Sequence, residues 1–286
     1  RGLIPNTPIL PIRNPPQAGY GALLRIVTTA AHFPLLVKTA QSGAPPQIQN
    51  FLWLWTGLTA LLSAISWISS RDGQSGRHYW IIALSSLVVA SSMSGHPQAV
   101  IAFGWALMLP GSLILLSGFR NKVLTVLFFL GALAISTLPF TPSWNGVMLY
   151  SGGFHAGWLL LIPAQSLILA GYLLQSFKKG SHKPAAERWA NWIHHWGMFI
   201  ILLTTLLLSW WNLSGTLGFP EQPPTLMATW PALVILLLTG FAWLIGWRVP
   251  TAAAPIFSRL SANLSFGKIL KPVWSFFFFV RRIFLF

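Results

Sequence analysis

Cysteine is absent from this chain. That excludes disulfides, a thiolate nucleophile and any cysteine-ligated zinc or iron–sulfur centre. Acids are nearly absent too: Asp72, Glu187 and Glu221 are the only three. None of them falls in an apolar run, so cation-coupled transport in the ordinary carboxylate style has no residue to use. Charge of either sign makes up 7% of the residues, against about 25% in a soluble domain. No phosphate-binding loop, zinc-ligand spacing or Ser/His/Asp arrangement is present.

Apolar residues fill the space left by charge. They make up 54% of the chain, with a mean hydropathy of +0.65. A chain so composed cannot cover a water-facing surface. It reads as an all-α polytopic transmembrane bundle, and as one bundle rather than several domains. The net charge of +15 comes from 18 Lys and Arg. In a soluble protein that excess would point to nucleic acid. Here the bases sit mostly in loops between apolar spans, so they read as membrane topology and contact with anionic lipid headgroups. No nucleic-acid partner is expected.

The stretch 118–150 states the pattern most plainly. A basic turn (Arg120, Lys122) precedes an apolar run that stops at Pro139, and a neutral Pro/Ser/Trp/Asn/Gly loop follows. Residues 1–18, with five prolines, read as an extended arm. Spans are then expected over about 20–38, 51–69, 79–93, 98–117, 123–138, 155–177, 192–211 and 226–247. The seven loops between them carry zero, two, zero, two, zero, four and zero Lys/Arg. The positive-inside rule puts the basic loops, and both termini, on the cytoplasmic, matrix or stromal side. A bacterial or organellar inner membrane is the expected location. Trp occurs 16 times, often near span ends, as interfacial belts require. Beyond the bundle at 19–247 lies a basic, aromatic segment at 248–286. Its last part, 273–286 (VWSFFFFVRRIFLF), is too short to span and reads as an interfacial or lateral helix.

Within the spans, chemistry could sit at few places. Arg25 and Lys38 lie near opposite ends of span one, where each can snorkel or pair with a partner subunit. His32 precedes Pro34, and a histidine beside a helix break can relay protons or be held within the bundle. Gln165, mid-span near Pro163, suits hydrogen bonding between helices. His96 and His155 fall on the same predicted side and are weak candidates for an axial haem or chlorin ligand pair. No metal and no cofactor is otherwise expected. His194 and His195 are adjacent, so they point about 100° apart on a helix and do not form a ligand pair.

Three stretches, in order, resemble the antiporter-like membrane subunits of respiratory complex I, a family related to multisubunit Na+/H+ antiporters and membrane hydrogenases. Residues 23–46 (LLRIVTTAAHFPLLVKTAQSGAPP) resemble its broken helix, with the step Phe33-Pro34-Leu35. Residues 83–116, opening on Leu84-Ser85-Ser86, resemble its Ser-rich helix leading into a long one. Residues 118–144 resemble its basic turn, apolar span and proline-ended loop. The resemblance covers about 20–215. It implies a non-catalytic membrane subunit of a proton-translocating redox complex, with one broken helix near the N-terminus and other membrane subunits as partners. The family's proton relay uses lysines, histidines and a glutamate at mid-membrane. Here Thr28 and Thr29 stand where a lysine is expected, Gln41 where an acid is expected, and span four holds neither His nor Lys. A degenerate relay and a largely structural role follow, with Arg25, His32, Lys38 and Gln165 as the remaining proton-path candidates. The alternatives are a haem-, chlorin- or quinone-binding membrane subunit, or a purely accessory subunit of a large assembly.

Overall fold

The computed structural model describes residues 31–70, 76–111, 113, 122–151, 155–177, 188–213 and 230–248. Among these the chain is all-helical, without a strand. It divides into two compact units, Arg1–Trp247 and Arg248–Phe286. The helices that follow belong to the first, save the last residue of the final helix, Arg248. The arm at 1–18, Arg25 and the segment 273–286 lie outside the described residues.

A helix starts at the Phe-Pro step, after a turn at 31–32: α1 (Phe33–Ala40) has Pro34 in its first turn. A proline there loses no intrahelical bond, because first-turn N–H groups have no partner inside the helix. Lys38 falls in its last turn, where a cation complements the carbonyl end. The next helix, α2 (Pro46–Ile68), also opens on proline and begins five residues before the span expected at 51–69. α3 (Arg77–Met93) matches its expected span closely.

Of the expected spans, the fourth is interrupted and the fifth ends early. α4 (Pro97–Met108) stops well before 117, with a turn at Leu109 before helical geometry resumes at Pro110. Pro110 has no N–H to give Ala106, and its ring crowds that carbonyl. α5 (Lys122–Ala134) ends five residues before Pro139. Ser136 stops it: its N–H and its hydroxyl both turn back to the Leu133 carbonyl, at 3.2 and 2.7 Å. Where the sequence reads as plain loop, a buried 3-10 helix forms at Trp144–Tyr150. Then come α6 (Trp158–Phe177), α7 (Arg188–Leu213) and α8 (Trp230–Arg248). Among the described residues, α2 and α6 are the two helices long and apolar enough to cross a membrane.

α6 and α2 form the central seam. They run parallel: Trp53 meets Gly157 and His155 at one end, and Trp67 meets Gly171 at the other. Glycine makes the close approach possible, since a Cβ on Gly171 would lie 2.5 Å from the Trp67 indole. α3 packs on α2 and α4, α1 packs on α3 and α4, and α5 packs on α6 and α7. Trp67, Trp80, Tyr172 and Phe128 form a continuous aromatic core, with ring centroids 5.3–6.0 Å apart.

The connections sort by end. Ala44 N–H donates to Met93 O at 3.0 Å, and Thr39 and Ser92 hydroxyls meet at 2.7 Å. His96 Nε2 lies 3.4 Å from Ser151 Oγ. The uncharged connections near residues 43, 95 and 151 therefore share one end. At the other end Gln175, near the close of α6, reaches Ser70 after α2. Those two residues lead into two of the basic loops.

Candidate functional site

The polar side chains of α6 organise the interior. Gln165, Tyr172 and Gln175 are spaced i, i+7 and i+10, so they lie on one side of the helix. Each bonds a neighbouring element close to where one of its helices breaks or ends. Tyr172 Oη donates to Pro110 O at 3.0 Å, at the break after α4. Gln175 Nε2 donates to Ser70 O and Ser70 Oγ at 3.1 and 2.9 Å, just past α2. Gln165 holds the turn after α5 and the end of the 3-10 helix together. Its Oε1 accepts from Tyr150 Oη at 2.8 Å, and its Nε2 donates to Thr137 Oγ1 at 3.2 Å. Buried irregular backbone needs such partners, because no water reaches it.

The Gln165 cluster is the most constrained of the three. Thr137 is fully buried and takes φ +55°, a left-handed conformation that β-branched residues resist. Its N–H donates to Ser143 Oγ at 2.9 Å and its hydroxyl to Ser136 O at 2.7 Å. Phe140, in the same turn, takes φ +66°. Burial pushes the Tyr150 phenol well above the ordinary tyrosine range. The cluster is thus neutral and fully occupied. Gln165 spends both ends of its amide on it, and a neutral amide neither takes up nor releases a proton near neutral pH.

Of the proton-path candidates among the described residues, only Gln165 (4% exposed) enters this interior. Its hydrogen bonds go to Tyr150 and Thr137, not to His32 or Lys38. His32 is exposed at the head of α1, and its carbonyl accepts from Leu36 N–H at 3.1 Å. Lys38 is exposed at the helix end. His96 heads α4 beside Ser151, while His155 is exposed and stacked on the Trp53 indole, centroids 5.6 Å apart. Among the described residues no group of three or more His, Cys, Asp or Glu could hold a metal ion.

Sequence reasoning missed Tyr150, Thr137, Tyr172 and Gln175. The signal was there for the last two, which repeat Gln165's side of an apolar helix. Thr137 gave none, because its role depends on where α5 stops. Comparison with protein-family models, with characterised proteins and with solved structures finds no match to this chain.

Proposed function

We propose that the chain is a multi-pass membrane subunit of an ion-translocating redox assembly of the complex I kind, and that its role there is structural rather than proton-carrying. One observation carries the membrane part: the outer faces of the helices are bare and apolar. α2 exposes Phe51, Leu54, Trp55, Leu58 and Leu62, and α8 exposes Trp230, Leu233, Leu237, Phe241 and Leu244. Both sets follow the helical period and form continuous stripes. Soluble proteins rarely expose such patches. The hydroxyls agree: Thr59, Ser66 and Thr204 donate to carbonyls four residues back in their own helices. Lipid offers them no other partner.

Eight crossings are proposed, with the basic loops on the cytoplasmic, matrix or stromal side. The gathering of the uncharged connections at one end, with Ser70 and Gln175 meeting at the other, supports that orientation. The structural role rests on the resemblance taken with the missing relay groups. None of the three acids falls within an apolar run of the sequence, and the buried Gln165 cluster is neutral.

Three measurements test this reading. Purification in mild detergent is expected to bring down other membrane subunits of a redox complex. Proton pumping by that complex is expected to survive His32→Ala and Arg25→Ala, and its loss would assign a conducting role. Labelling the 178–183 region and the Glu221 region on one membrane face would overturn the orientation.

A further inference from the structure

We infer that water enters the bundle from the end bearing the uncharged connections and runs along one edge of the 3-10 helix to Asn145. This path goes beyond the structural role proposed above and needs no particular partner complex. Side chains three apart eclipse in a 3-10 helix, so Trp144–Tyr150 presents three edges. Trp144, Val147 and Tyr150 form one: Trp144 and Val147 pack with Ala232 of α8, and Tyr150 turns to Gln165. Gly146 and Leu149 form the second, with Gly146 against the Phe103 ring of α4. Both of these edges are buried throughout. Asn145 and Met148 form the third, and Ser151 continues it. Met148 and Ser151 are half-buried, and within Trp144–Tyr150 only Met148 is not buried. Exposure therefore follows a single edge.

That edge leads to an unmade hydrogen bond. Asn145 is 5% exposed, and its Oδ1 is buried with no hydrogen-bond partner among the described residues. Turning the amide over would put an NH2 in the same place, so the position is polar either way. Leaving a buried amide atom unpaired is costly, and native proteins meet it with a protein partner or an ordered water. At about 2 Å per residue, Asn145 lies about 12 Å along the axis from Ser151, a length that a short file of waters spans. Polar groups stand at the outer end: Ser151 Oγ donates to Met148 O at 2.7 Å and lies 3.4 Å from His96 Nε2. An aliphatic lipid chain on the same edge would leave Asn145 Oδ1 unpaired. The file ends at Asn145, because Tyr150, on another edge, already spends its hydroxyl on Gln165.

The chain has no cysteine, so single cysteines report water access on the full protein. In the folded, detergent-solubilised chain, Asn145→Cys and Met148→Cys are expected to react with a small cationic thiosulfonate about tenfold or more faster than Val147→Cys and Leu149→Cys, since a buried thiol is inert. Slow reaction at all four would make the edge dry. Fast reaction at Met148→Cys alone would stop the water at the surface. Fast reaction at all four would show the helix opening as a whole. Each of these results overturns the inference. The natural chain supplies a second measurement, free of any effect of substitution on folding. With asparagine isotopically labelled for NMR, the Asn145 side-chain NH2, identified by its loss in Asn145→Leu, is expected to give a cross-peak to water. A folded chain without that cross-peak would also overturn the inference.

Discussion

Thr137 holds a backbone conformation that costs an L-residue about 1–2 kcal/mol, and three hydrogen bonds hold it there. Gln165 matters through the partner it would leave behind. Gln165→Leu strands the buried Tyr150 hydroxyl, so it is expected to destabilise the chain by about 1–3 kcal/mol, read as a lowered melting temperature in detergent. Phe140 shares the strained turn, but its side chain is 77% exposed and gives only a ring contact with Trp144. Phe140→Gly is therefore expected to raise the melting temperature, by relieving a left-handed residue worth about 1 kcal/mol. The raised Tyr150 value makes stability depend on pH. The fold favours the protonated phenol, so its contribution is complete below the unfolded value, about 10, and is lost as pH rises above it. Melting between neutral and strongly alkaline pH should show a steeper alkaline loss for the natural chain than for Tyr150→Phe.

Between elements, glycine decides how closely helices approach, and two positions make opposite predictions. Gly171 faces the Trp67 indole, whose Nε1 donates to Ile168 O at 3.2 Å. Gly171→Ala must displace that ring, and overpacking of this kind costs about 1–3 kcal/mol, more than the gain in helix propensity. Gly197 in α7 has nothing within 4 Å of where a Cβ would stand. Gly197→Ala is expected to stabilise by about 0.5–1 kcal/mol through backbone entropy alone. Paired thermal melts read both signs. The short helices have the same local logic. At about 1.5 Å per residue, α4 and α5 rise only about 18–20 Å, and the breaks that end them are closed by Tyr172 and by the Ser136–Thr137 turn.

Across the molecule, α7 and α8 are held by narrow seams. Met198, Leu202 and Thr205 are buried on α7, and Ala232, Ile235 and Thr239 on α8. Most of the large apolar side chains described on their other sides are exposed. In water such helices would leave large apolar areas unsatisfied, and in lipid they would not. The chain is accordingly expected to resist extraction by alkaline carbonate and to aggregate when detergent is removed. Recovery as a monodisperse soluble species would overturn the membrane proposal.

Composition alone settled that the described chain is helical, because long apolar runs without alternation leave no amphipathic strands to pair. The boundaries of α3 were legible within a few residues, since its apolar run opens at a base and ends at the Ser94-Gly95 turn. The early ends of α4 and α5 were not. Pro110 marked one break, but nothing local showed that Tyr172, 62 residues away, would take the Pro110 carbonyl. Gln165 was legible as a residue that bonds between helices, and its partners were not. Tyr150 lay in what read as loop, and Thr137 becomes a partner only because its turn is folded back against α6. Periodicity is a property of neighbours along the chain, and it fixes which residues are helical. Partnership across 15 to 105 residues is a property of packing, and only the packed helices decide it.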